Sequence, residues 1–256
     1  MFTESTMTVD GCNIRFRRGG KGPPLLYLHG ANGAAAIQPF MEKLAEKFDV
    51  MVPEHPGFGQ SDEPEWLDNV QDLAYFYLDV LDQLKLEKVA VIGSSIGGWL
   101  AMEMAIREPR RFEALVLVGP AGIRIPEAQP GDIFLWSAET AARKLFVDPK
   151  RVEFALANPP DIDTGLKNKH TVAKLAWEPR LHNPMLAKWL HRLKMPVQLA
   201  WGEQDQVIPV AYAHAFKKLI PQAQLQLFPN CGHLPQTEQP EKFVQSAIEF
   251  LQGAAK

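Results

Sequence analysis

Two rhythms of apolar and polar residues alternate along this chain. Short apolar-rich runs, Leu25 to Leu28, Val50 to Pro53, Val89 to Ile92, Phe112 to Val118, Val197 to Trp201 and Leu225 to Phe228, read as strands, and Val89 to Ile92, apolar throughout, suits one buried on both faces. Between them, Ile37 to Phe48, Val70 to Leu84, the stretch after Ser95, Val210 to Leu219 and Pro240 to Leu251 carry apolar side chains at helical spacing. Strand and helix in repeated succession predict an α/β class fold: a mostly parallel central sheet, right-handed crossovers and helices on its flanks. Ahead of this series, Thr6 to Val9 and Asn13 to Arg17 read as an antiparallel pair turned at Asp10-Gly11.

The rhythm breaks once. From Arg124 to Met195 no strand-like run appears, whereas TAARKLF and TVAKLAW keep helical spacing. A structureless loop of this length would far exceed the usual ~12 to 15 residues, so the segment reads as a helical insert. The chain thus divides into a core of residues 1–123 and 196–256 and a helical cap of residues 124–195.

Composition narrows the function classes. With 256 residues and 46% hydrophobic content, the chain can bury a full core. A formal net charge of −3, from 27 basic against 30 acidic side chains, gives no electrostatic reason to expect nucleic acid or an anionic membrane as partner. The expected partner is a small-molecule substrate, and nothing in the sequence fixes an oligomeric state. Cys12 and Cys231 are too few for a disulfide framework. The opening MFTESTMTVDG lacks the basic residue and apolar run of a secretory signal, and no segment reaches the ~18 apolar residues of a membrane span. These features lead us to expect a soluble cytoplasmic protein.

Candidate chemistry centres on KVAVIGSSIGG, Lys88 to Gly98. Gly93-Ser94-Ser95-Ile96-Gly97 fits G-x-S-x-G, preceded by an apolar strand and followed by helical spacing. A nucleophile at the tip of a sharp strand-to-helix turn needs small flanking residues, which Gly93 and Gly97 supply. The helix after it aims free N–H groups and its positive dipole end at the place where an oxyanion would develop. Ser95 is the candidate nucleophile, and it needs a base held by a carboxylate. His233, in NCGHLP after the last strand, lies at the carboxyl edge of the sheet, where α/β sites form. Asp205 and Glu203, both in WGEQD after the preceding strand, compete as the carboxylate.

With HGANG, GSSIGG, WGEQD and CGH at successive strand ends, the chain resembles the α/β-hydrolases over nearly its whole length outside the insert. The resemblance makes Ser95 the nucleophile, His233 the general base and then acid, and Asp205 the residue that orients the imidazole. It places the oxyanion hole at the backbone N–H groups of Ala31 and Ile96, with Asn32 either an extra donor or a turn former. It implies no cofactor and no metal, and His182 and His191 in the insert lack a second close ligand pair. In capped members an insert at this point forms a lid, and Phe134, Trp136, Phe146, Phe154, Trp177 and Trp189 would wall an apolar pocket or pack the lid onto the core.

The implied activity is a carboxylesterase-like serine esterase. A carbon–carbon bond hydrolase of aromatic ring-cleavage products is the alternative, although those relatives usually carry Asn before the nucleophile and Trp after the histidine, where this chain has Ser94 and Leu234. A hydrolase-fold ligand receptor is the third reading. Cys231 reads as a packing residue, Trp99 as core or pocket wall, and His55 and Asp62 as residues that fix loop shape.

Overall fold

The computed structural model describes residues 1–254. Eight strands form one sheet: β1 (Phe2–Val9), β2 (Cys12–Gly19), β3 (Pro24–Leu28), β4 (Asp49–Pro53), β5 (Val89–Ser94), β6 (Phe112–Val118), β7 (Val197–Gly202) and β8 (Gln224–Phe228). Their order across the sheet is β1-β2-β4-β3-β5-β6-β7-β8. The β1–β2 hairpin and the β2–β4 pair are antiparallel, and every pair from β4 to β8 is parallel.

Both faces of the parallel region are covered except at the edge strand β8, where Gln224 and Gln226 are exposed, and the period-two alternation of the strands shows where each side chain goes. Leu26, Val91, Leu115 and Leu199 point into a core shared with α2 (Val70–Gln83), α3 (Ile96–Arg107) and α8 (Ala211–Leu219). Leu25, Ile92, Val116 and Ala200 point into the opposite core, closed by α1 (Pro39–Leu44) and α10 (Pro240–Ala254). At the start of α2, Asn69 and Asp72 satisfy each other's backbone N–H groups in a capping box. The first helix is shorter than its apolar spacing predicts. Pro39 starts it, and after Leu44 the N–H groups of Lys47 and Phe48 both turn back to the Leu44 carbonyl, which ends the helical ladder.

Between β6 and β7 the chain builds α4 (Ala138–Leu145), α5 (Pro149–Ala157), α6 (Ile162–Ala176) and the short α7 (Leu186–Trp189). Among the described residues this stretch contributes no strand, only one isolated bridge from His182 to Gly122. α6 is fastened to the loop after β4. Thr171 Oγ1 donates to the Gly57 carbonyl at 2.5 Å, the Gly59 N–H donates to Asn168 Oδ1 at 2.9 Å, and Lys167 Nζ donates to the Ser61 carbonyl at 2.6 Å. No helix among the described residues is long and apolar enough to cross a membrane.

Candidate active site

The turn between β5 and α3 holds Ser95 at φ 55° and ψ −116°. A non-glycine residue there is strained, so its surroundings must hold it. They do: the Ser95 N–H donates to the Val118 carbonyl at 2.8 Å, and the Ser95 carbonyl accepts from Gly98, Trp99 and Ala121. The flanking glycines allow the close approach this requires. A β-carbon at Gly97 would collide with the carbonyls of Leu28 and His29, and one at Gly93 with the carbonyl of Gly97.

The loop after β3 packs directly on the serine. A β-carbon on Gly30 would lie 3.1 Å from that of Ser95. Gly33 closes the loop with an N–H bond to the Gly30 carbonyl at 3.1 Å, and the Asn32 carbonyl accepts from Asn168 at 3.4 Å. The N–H groups of Ala31 and Ile96 donate to no other group among the described residues. Beneath this loop lies a buried polar stack. The His29 and His55 rings stack 3.7 Å apart, the His55 N–H donates to His29 Nε2 at 2.9 Å, and His55 Nδ1 meets the Tyr77 hydroxyl at 2.5 Å. Burial holds the His29 imidazole down to about 4 and pushes His55 in the same direction. Asp62 accepts from the Asn13 N–H at 2.8 Å. His55 and Asp62 therefore sit in bonds that fix loop shape.

At the ends of β7 and β8, His233 and Asp205 are both buried, and His233 Nδ1 lies 2.7 Å from Asp205 Oδ2. The other carboxylate oxygen, Oδ1, accepts from the N–H groups of Val207 and Ile208 at 2.8 and 2.9 Å, which fixes the plane of the group. Glu203, the competing carboxylate, is exposed. Ser95 and His233 line one cavity of about 460 Å³, together with Gly30 and Ala31. The Ser95 hydroxyl makes no hydrogen bond to His233 in this structure, and such contacts in ligand-free sites are often long.

Glu238, which sequence reasoning missed, ties His233 to the insert. It ends α9 (Pro235–Glu238), and one carboxylate oxygen accepts from the Gly232 N–H at 2.6 Å. The other accepts from Val147 and Asp148 at 2.7 and 2.9 Å, in the joint between α4 and α5. The His233 N–H itself donates to the Leu145 carbonyl at 2.8 Å. Cys231 is fully buried against the same carboxylate, and burial pushes its thiol well up, as befits a packing residue.

The aromatic supply of the insert divides. Phe134, Trp136 and Trp177 line the cavity, whereas Phe154 and Trp189 face outward, 64% and 43% exposed, and neither wall the pocket nor pack the core. Trp99 is core, its indole N–H donating to buried Glu103 at 3.0 Å.

A strained serine after a parallel strand, beside the Ala31 and Ile96 N–H groups and a buried His–Asp pair, invites comparison with known proteins. The model of the α/β-hydrolase fold family matches residues 23–185 and 166–240. The chain belongs to that family. Among its relatives, the 2-hydroxymuconate semialdehyde hydrolase of Pseudomonas sp. strain CF600 is 28% identical over 95% of this chain and 92% of its own length. Lipase 1 of Psychrobacter immobilis is 28% identical over 85% of this chain and 73% of its own. In fold, the 2-hydroxy-6-oxo-6-phenylhexa-2,4-dienoate hydrolase from Rhodococcus sp. strain RHA1 superposes with a TM-score of 0.82 at 23% identity, covering 98% of this chain and 99% of that one.

Proposed function

We propose that this α/β-hydrolase is a serine esterase, cleaving carboxylic esters of small, largely apolar substrates through an acyl-enzyme on Ser95. The observation that carries the reading is the buried His233–Asp205 pair, which opens onto the same cavity as the strained Ser95. In the first half-reaction Ser95 Oγ attacks the ester carbonyl carbon and its proton passes to His233 Nε2. Asp205, through Nδ1, holds the ring and stabilises the imidazolium. The oxyanion takes the N–H groups of Ala31 and Ile96, a pair of donors worth ~2.7 to 4 kcal/mol each when aligned. Collapse breaks the C–O bond, and the alcohol leaves with the proton from His233. Water, deprotonated by the same imidazole, then attacks the acyl carbon; the acid departs and Ser95 regains its proton. The insert, residues 124–195, serves as a cap that shapes the pocket and limits water.

A second reading, carbon–carbon bond hydrolysis of a ring-cleavage dienoate, is favoured by the named relatives and by Lys169, which lines the cavity. Against it, Lys169 is an exposed side chain on α6, and it is the only lysine or arginine among the described residues that line the cavity. Initial rates on p-nitrophenyl butyrate and on 2-hydroxy-6-oxo-6-phenylhexa-2,4-dienoate separate the two. Rapid turnover of the ester with slow turnover of the dienoate is expected, and the reverse order would overturn the ester reading.

A further inference from the structure

Alternation along β2 sends its side chains to two faces. Ile14 and Phe16 enter the core shared with α2, α3 and α8, whereas Arg15 and Arg17 point to the other side of the sheet, where Val52, the β4 partner of Arg17, packs near Ala34. Arginine is rarely buried unless its guanidinium is paired, and Arg17 is buried. Its Nε donates to Glu4 Oε2 on β1 at 2.6 Å, and the two other nitrogens of the fork donate to the carbonyls of Ala34 and Ala35, the latter at 2.9 Å. Arg15, paired with Glu54, adds a longer bond to the Ala34 carbonyl at 3.4 Å. These carbonyls belong to the irregular segment between β3 and α1, directly after the Gly30–Gly33 turn that carries the Ala31 N–H. On its other side the turn meets only the 3.4 Å bond from Asn168 to the Asn32 carbonyl. The β1–β2 hairpin already has its own ladder, from Phe2 opposite Gly19 to Val9 opposite Cys12, so it is the irregular segment that gains from the fork. Bonds from a charged donor are the strong ones, and backbone without a ladder takes its place from such partners.

We propose that Arg17 is a positioning residue for the oxyanion hole: its guanidinium holds the chain just past the turn and thereby fixes where the Ala31 N–H points. This rests on the ester reading and its choice of Ala31 as a donor. Arg17 lies outside the cavity lining, so it acts through the turn and touches no substrate. An oxyanion hole works because its donors are aimed before the negative charge develops, and a turn free to drift loses that advantage.

The test is a ratio of kcat/KM values for p-nitrophenyl butyrate over p-nitrophenyl thionobutyrate, in which sulfur replaces the carbonyl oxygen. Sulfur is a weak hydrogen-bond acceptor, so the thiono ester draws little from the hole and the wild type should favour the oxygen ester. Arg17→Met keeps most of the stem and removes the fork. It should cut kcat/KM on the oxygen ester ~10- to 100-fold, mostly through kcat, and change the thiono ester less than about threefold, so that the ratio falls clearly. Arg17→Lys keeps the charge but not the fork; it should fall between the two and serves if Arg17→Met does not fold. A residue that only supports packing would slow both esters alike, so ratios in the folded variants within about twofold of the wild type would overturn the role while leaving the ester reading in place. A wild type that turns over neither ester while cleaving the dienoate would remove the ester reading, and the role of Arg17 with it.

Discussion

Glu238 gives the most demanding prediction, because one carboxylate holds the base-bearing loop to the insert. Glu238→Ala strips three charge-assisted hydrogen bonds, from Gly232, Val147 and Asp148, and leaves those donors to find water. Each bond to a charged acceptor is worth ~1.5 to 3 kcal/mol, but the site is half-buried and water recovers part of the loss. We expect a net cost of about 3 kcal/mol, which in a chain of this size lowers the melting midpoint by ~6 to 12 °C. Function should suffer separately. His233 donates its own N–H to Leu145, the residue before this joint, so loosening the clamp displaces the imidazole relative to Ser95. Misplacement by ~1 Å costs about 100-fold, so kcat on an ester should fall ~10- to 100-fold while KM moves less than about threefold. Glu238→Gln keeps one acceptor and should fall between. Circular-dichroism melting and steady-state rates on the same preparations decide the matter. A Glu238→Ala protein that melts within about 2 °C of the wild type and keeps kcat within about twofold would refute the clamp.

Two further outcomes follow from the site. Asp205→Asn keeps the shape of the carboxylate but not its charge, so kcat should drop ~10³- to 10⁴-fold with KM little changed; a loss under about tenfold in ester hydrolysis assays would detach Asp205 from the chemistry. The buried histidines predict acid lability. Unfolded histidine takes up a proton near pH 6.5, whereas native His29 stays neutral down to about 4, so stability present above pH 6.5 is lost as the pH falls towards 4, by ~3 kcal/mol from His29. His55 shifts in the same direction and adds to the loss. Melting midpoints at pH 7.5 and 4.5 should differ by several degrees, and His29→Gln should flatten the difference; equal midpoints in the wild type would refute this.

Much of the framework is legible in the sequence, for a local reason. Strand β5 opens on an unbroken apolar run, Val89 to Ile92, and β6 departs from one only at Glu113, because both their faces are covered, and the Ser95 turn announces itself through Gly93 and Gly97, whose small size the packing demands. Asp205 and His233 follow from their places after β7 and β8. What stayed hidden is long-range. Glu238 and Val147 are 91 positions apart, and Gln236 and Ser94 are 142 apart, so no window of the chain brings them together. The only local signal was PQTEQP itself, a proline-started turn of helix with a carboxylate at its end. α5 was missed because its apolar residues include Phe154 and Leu156, which face outward, so its pattern does not separate an inner from an outer side. The outward turn of Phe154 and Trp189 equally escapes a reading based on aromatic content alone.

The central claim, that Ser95 attacks the acyl carbon, is tested most directly by fluorophosphonate labelling followed by intact-mass and peptide mass spectrometry of the wild type and Ser95→Ala. The account predicts one adduct per chain, on the peptide that contains Ser95, with both the adduct and ester turnover lost in Ser95→Ala. Labelling and turnover that persist in Ser95→Ala, or an adduct carried by another residue, would contradict it.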